Sequence, residues 1–171
     1  NFAKLDPDLS GRHAVIVGMG NVALDVARIL SKTEEEFAGS DIVAHALDLL
    51  KTSKLEKITI LGRRGPHQIA MTPKELGELG KLDNARPRVH AAHLPADAED
   101  AALEPGLRKS VGHLRSFATI DESERSGVDK EVEFHFFGVP ERIIGNGKVE
   151  ALEISGTELR DGKLVPTGTK E

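Results

Sequence analysis

Two short stretches of this chain carry residue types at spacings that can do chemistry. The first is Gly18-Met19-Gly20-Asn21-Val22-Ala23, which follows the apolar run Ala14-Val15-Ile16-Val17. Two glycines one residue apart, after a β-branched run and before a helix-compatible stretch, form the G-x-G-x-x-A pattern of a phosphate-cradling turn. Each position has a steric task. Gly18 permits the tight turn out of the strand, Gly20 lets the backbone approach a pyrophosphate, and the small Ala23 lets the helix pack close to the strand. The N–H groups of the first helical turn then face the phosphates, with the helix dipole behind them. The plain alternative is an ordinary strand–helix turn.

The second stretch is Leu61-Gly62-Arg63-Arg64-Gly65-Pro66-His67-Gln68. It ends a second apolar run, "KITILG", so Arg63 and Arg64 would sit at the carboxyl end of a strand beside the first. The acid about twenty residues beyond the glycines, which would bind a ribose 2′-hydroxyl, is not evident. Glu34, Glu35 and Glu36 come too early and in a polar run. Two guanidinium groups at that place suit a 2′-phosphate instead, because Arg binds phosphate as a fork and keeps its charge. The pair therefore favours NADP over NAD, against the plain alternative of a solvated basic turn.

The elements that must position these residues follow from periodicity. His13–Gly18 reads as a buried parallel strand, and 21–31 has apolar residues at helical spacing. A helix is expected over 42–50, behind the cap-like Ser40-Asp41. A strand follows over Lys57–Gly62, and a helix opens at Thr72-Pro73 with proline at its tolerated first position. "ARPRVHAAHL" reads as a strand and a loop, "PADAEDAALEP" as a short acidic surface helix, and "LRKSVGHLRSFAT" as a further helix. From Lys130 onward the pattern alternates, with turn signals at Asn146-Gly147 and Asp161-Gly162. That portion reads as an antiparallel ribbon. The expected class is α/β: a Rossmann-like parallel sheet flanked by helices, with an antiparallel ribbon in the C-terminal part. The chain, 1–171, divides into a linker-like segment 1–11, a βαβ nucleotide-binding core 12–82, a helix and loop segment 83–129 and the ribbon 130–171.

Bulk properties exclude several classes. The chain has 171 residues and a formal net charge of −5, no cysteine, no tryptophan and no tyrosine. The acidic balance argues against a nucleic-acid binder. Without cysteine there is no disulfide, thiolate zinc site, iron–sulfur ligation or cysteine nucleophile. No apolar run approaches the ~18 residues of a membrane span, and no signal-peptide layout opens the sequence. The expected location is the cytoplasm, or the mitochondrial matrix if the source is eukaryotic. His90-x-x-His93 has metal-like spacing but no evident third ligand, so no metal site is expected. His67 is either a contact to the nucleotide or a solvated loop residue, and His135 reads as ribbon surface.

"VGMGNVALDVARIL" together with "GRRGPHQIAMTPKEL" resembles the NADP-binding domain of the adrenodoxin reductase-like ferredoxin–NADP reductases. The match is close over the first half and looser through "FHFFGVPERIIGNGKVEALEI". The resemblance implies that Met19, Gly20, Asn21 and Val22 offer loop backbone to the pyrophosphate, that Arg63 and Arg64 hold the 2′-phosphate, and that Glu75 caps the same site. It also brings Glu78 near the nicotinamide, as a weak catalytic candidate beside the plain reading of both glutamates as a helix face.

Members of that family also carry an FAD domain, and neither its fingerprint nor its Gly-Tyr and Gly-Trp segments occur in this sequence. The expectation is thus an excised NADP domain. Its parent would be a flavin-dependent oxidoreductase in electron transport, passing electrons from NADPH through FAD to a ferredoxin. This piece would be inactive alone, its partners being the FAD domain and, through the parent, the ferredoxin. The alternatives are a stand-alone NADP-binding or sensing module, or the NADP domain of another two-dinucleotide flavoprotein with a different acceptor.

Overall fold

A parallel sheet organises the first four-fifths of the chain. The computed structural model describes residues 7–171. Of the linker-like segment 1–11, residues 1–6 therefore lie outside the described residues. Four strands, β1 (His13–Val17), β2 (Lys57–Leu61), β3 (Ala85–Val89) and β4 (Lys130–His135), pair in parallel in the order β1-β2-β4-β3. Among the described residues five α-helices, with short 3-10 turns, connect them: α1 (Asn21–Ser31), α2 (Ala44–Lys51), α3 (Pro73–Leu79), α4 (Pro105–Ala118) and α5 (Glu122–Ser126). A second sheet follows, β5 (Gly138–Ile144), β6 (Ala151–Arg160) and β7 (Lys163–Lys170), antiparallel in that order. The fold class is the expected one.

The two faces of the parallel sheet differ because side chains alternate along each strand. On one face Ile58, Ile60, Val132 and Phe134 are fully buried. They pack against Leu24 and Ala27 of α1, Leu76 and Leu79 of α3, and Leu114 and Phe117 of α4. The rings of Phe117, Phe134 and Phe136 stack in series. The opposite face carries Lys57, Thr59, Glu131, Glu133 and His135: Lys57 and Thr59 meet Glu133, Glu131 pairs with Arg88, and His135 lies against Glu171.

That polar face explains the main departure from the sequence reading. Lys130–His135 is not the start of the ribbon; it is a central parallel strand, and the ribbon begins at Gly138. Buried parallel strands usually read as continuous apolar runs. Here "EVEFH" alternates because Glu131 and Glu133 are paired to Arg88 and Lys57. His135 accordingly lies at the end of β4, within 3.2 Å of Glu171, rather than on a ribbon surface. The sheet that carries the glycine turn thus draws on residues 13–135, beyond the 12–82 of the sequence division.

Three smaller differences have local causes. β1 is an edge strand, since its only partner among the described residues is β2, and Val17 is 62% exposed. The second helix starts at Ala44, with Val43 rather than Ser40-Asp41 before its first turn. The "PADAEDAALEP" stretch forms a 3-10 helix, Asp97–Ala102. The Asp161-Gly162 turn leads into β7, so the ribbon has three strands. Both turn residues have positive φ, 51° and 74°, which matches the twist of a two-residue hairpin.

Candidate functional site

The glycine turn lies at the carboxyl end of β1. Gly18 has φ 134°, a conformation open to glycine and strained for other residues. Its N–H donates to the Leu61 carbonyl at 2.8 Å, which ties the turn to the end of β2. Gly20 precedes α1 with extended backbone, and no side chain caps the helix there. A β-carbon on Gly20 would meet no atom within 4 Å, so the space in front of it is open. Ala23 is buried against the sheet, the close packing its small size permits. From the other side, the Ala70 N–H donates to the Met19 carbonyl at 2.8 Å, and Thr72 N–H donates to Asn21 Oδ1 at 2.8 Å.

The arginine turn lies at the carboxyl end of β2, next to the glycine turn. The Met19 side chain lies over Gly62, where a β-carbon would overlap it. Arg63 and Arg64 are both exposed. A cleft of about 590 Å³ joins the two turns. It is lined by Gly18, Met19 and Gly20 on one side, Arg63 and Arg64 on another, and Val139 and Pro140 of β5 on a third. Its volume lies within the roughly 300–1,000 Å³ usual for ligand clefts. Open backbone at a helix N-terminus and two unburied guanidinium groups along one cleft can take up an anion at each end.

The remaining candidates lie elsewhere. Asn21, Val22 and Ala23 flank the turn on the α1 side, where they line a shallow groove with Ile16 and Val26. The Glu75 carboxylate accepts from the Thr72 hydroxyl, which holds its pKa below the usual carboxylate range. Glu78 pairs with Arg28 of α1 at 2.5 Å. Neither glutamate lines the cleft. His67 bonds Asp100 at 2.9 Å and is largely buried, so it is not a solvated loop residue, and it does not line the cleft. Asp100 also receives Arg115 at 2.7 and 2.9 Å; these bonds, with that of His67, hold its carboxyl low. His90 bonds Glu133, and no group of three metal-ligating side chains exists among the described residues.

On the polar sheet face, burial pushes the Glu133 carboxyl up, but bonds from Lys57 at 2.5 Å and His90 at 2.8 Å outweigh it, leaving a pKa of about 2. Burial, and then the Lys57 charge, lower the His13 pKa; burial, with His90 and His135, lowers that of His93. A second cleft of about 650 Å³ separates this face from β5 and β6.

The sequence reading missed the wall contributed by Gly138, Val139 and Pro140, and the residues Gln68 and Thr157 that brace the arginine turn. The one available signal was the small Gly138 directly after the Phe pair. A β-carbon there would crowd Leu61 and His135.

No family model matches the chain. The NADPH-ferredoxin reductase FprA of Mycobacterium tuberculosis (strain ATCC 25618 / H37Rv) is 40% identical over 161 residues, covering 93% of this chain and 35% of that protein. The mitochondrial NADPH:adrenodoxin oxidoreductase of Homo sapiens is 51% identical over 181 aligned positions, covering 98% and 37%. The solved structure of Mycobacterium tuberculosis FprA in complex with NADPH superposes with a TM-score of 0.91 at 36% identity, over 99% of this chain and 38% of that one. The chain therefore spans little more than a third of the length of the relatives it matches. No helix among the described residues is long and apolar enough to cross a membrane. By sequence and by fold together, the chain is similar to a little over a third of the adrenodoxin reductase-like ferredoxin–NADP reductases.

Proposed function

We propose that this chain is the NADP(H)-binding domain of a ferredoxin–NADP reductase. Its glycine turn, Gly18 to Val22 with the N-terminus of α1, receives the pyrophosphate. Arg63 and Arg64 receive the 2′-phosphate. In the whole enzyme the domain presents the nicotinamide to an FAD held by residues outside this chain. Bound NADPH supplies a hydride, two electrons together, which a flavin can pass on singly to a one-electron acceptor such as a ferredoxin. The names of the relatives, NADPH-ferredoxin reductase and NADPH:adrenodoxin oxidoreductase, support that reaction class and acceptor type.

The observation that carries the reading is that the glycine turn and the arginine pair open onto one cleft. The residues fit the ligand. Open space faces Gly20, α1 has no side-chain cap, and both arginines are exposed at the cleft's rim. In this arrangement the chain binds and orients; no side chain in the cleft is placed to move a proton. Glu75 and Glu78 face α1 and the start of α3, and we assign them support of those elements.

Calorimetric titration with NADP and NAD tests the reading. A hydrogen bond to a charged group contributes about 1.5–3 kcal/mol net, so two arginines give a preference for NADP on the order of a hundredfold or more. Replacing both arginines by alanine should abolish the preference and leave NAD binding. Equal affinities for the two nucleotides in the unaltered chain would overturn it.

A further inference from the structure

The backbone of the arginine turn is held from a distant part of the chain. All three carbonyls of Gly62, Arg63 and Arg64 accept hydrogen bonds, from Phe137 and Gly138 where β4 passes into β5 and from Thr157 within β6. Gly138 N–H donates to Gly62 at 3.0 Å, the Thr157 hydroxyl to Arg63 at 2.8 Å, and Phe137 N–H to Arg64 at 3.3 Å. The Thr157 N–H in turn donates to the Phe137 carbonyl at 2.7 Å, linking two of the donors. Thr157 lies over ninety positions from Arg63.

Phe137 has an unusual conformation. Its φ is 61°, a left-handed backbone that a bulky residue adopts only when its surroundings require it. That conformation turns the chain from β4 into β5, and its ring lies against Gly65, where a β-carbon would overlap it. Gly65 N–H donates to Gln68 Oε1 at 3.2 Å, which closes the turn from the other end. A surface turn bearing two long, exposed side chains would otherwise sample many backbone states.

We propose that Phe137 and Thr157 are positioning residues that fix the orientation of Arg63 and Arg64, and so set the discrimination for a 2′-phosphate; this rests on the nucleotide-binding reading above. Bidentate phosphate recognition depends on direction as well as charge. An arginine on a loosened turn keeps its charge and loses the preset geometry, so the effect falls on the phosphate that separates NADP from NAD. A merely structural role would instead weaken both nucleotides alike.

The test uses Thr157→Val, which removes the hydroxyl and keeps the shape, beside Thr157→Ser, which keeps the hydroxyl. Affinities for NADP and NAD are measured by titration on both variants and the unaltered chain. The expected result is a fall of roughly threefold to tenfold in the NADP-over-NAD preference for Thr157→Val, with Thr157→Ser close to the unaltered chain. A folded Thr157→Val with an unchanged preference overturns the proposal and leaves the nucleotide-binding reading standing. An unaltered chain with no preference overturns that reading, and the positioning role falls with it. Should Thr157→Val fail to fold, amide hydrogen exchange on the unaltered chain decides. Coupling between turn and phosphate is reciprocal, so saturating NADP should slow exchange at Phe137 and Thr157 more than saturating NAD does. Equal protection by the two overturns the proposal.

Discussion

The side-chain oxygen of Asn21, the first residue of α1, accepts a hydrogen bond from the backbone N–H of Thr72, the residue before α3, at 2.8 Å. One side chain thus joins the N-termini of two helices. A parallel contact of main chain, Ala70 N–H to the Met19 carbonyl, runs beside it. Together they fix the glycine turn against the segment that follows the arginine turn. The turn is then positioned by contacts from both sides, the preset geometry that the proposed nucleotide site would need.

Asn21→Ala removes the side-chain half of this link. Water can replace the acceptor because the site is exposed, so the stability cost should be about 0.5–1 kcal/mol, a shift of roughly 1–4 °C in Tm for a chain of this size. NADP affinity should fall several-fold as the turn loosens. Calorimetric titration and thermal melting together check this. An unchanged affinity would show that the main-chain contact suffices.

The two glycines of the turn should behave differently. Gly20 has extended backbone and open space before it, so Gly20→Val should fold with near-native stability and fail to bind NADP. Gly18 has φ 134°, so Gly18→Ala carries strain and should cost about 1–3 kcal/mol of stability before any nucleotide is added. Urea denaturation and titration on both variants would separate the effects. A Gly20→Val protein that binds NADP normally would reduce the motif to a turn.

This contrast marks what the sequence made legible. Local signals carried far. The glycine spacing, the apolar period of α1, the Thr72-Pro73 start and the Asp161-Gly162 turn each depend on a few adjacent residues, and each element stands where it was expected. Pairing between distant segments was not legible. β4 alternates because its polar face is satisfied by Lys57 and Arg88, residues of two other strands. The brace on the arginine turn comes from Thr157, whose threonine in a strand-like run carries no mark of its distant partner. His67 likewise showed nothing of Asp100, whose own partner is Arg115.

That last triad supports a prediction on the segment after the arginine turn. Asp100 accepts from Arg115 and from His67, which anchors the short 3-10 helix Pro66–Gln68 to α4. Asp100→Ala leaves Arg115 with Asp97 and the Pro95 carbonyl. The expected loss is about 1–2 kcal/mol, above that of an exposed pair because the side chains are largely buried. Denaturant unfolding measures it. A loss below about 0.3 kcal/mol would assign the triad no weight in stability.

The polar sheet face predicts how stability depends on pH. Glu133 titrates at about 2 in the folded chain, below its ordinary value of 4.5. A depressed carboxylate pKa means that the unfolded chain binds the proton more readily. Its stabilisation is therefore fully present above pH 4.5 and is lost as the pH falls from 4.5 toward 2. The full shift would correspond to some 3 kcal/mol; with Lys57 40% exposed, about 2 kcal/mol is the expected size. His13 and His93 act at higher pH with the same sign. Their folded pKa values lie below 6.5, so the neutral rings contribute stability above pH 6.5 that declines as the pH drops past it. Urea unfolding from pH 8 to pH 3 should therefore show a decline beginning near 6.5 and steepening below 4.5. Glu133→Gln should lose stability at pH 7 and show a shallower decline below 4.5. If the difference between the two proteins is the same at pH 7 and pH 3, the contacts of the Glu133 carboxylate with Lys57 and His90 do not stabilise the fold.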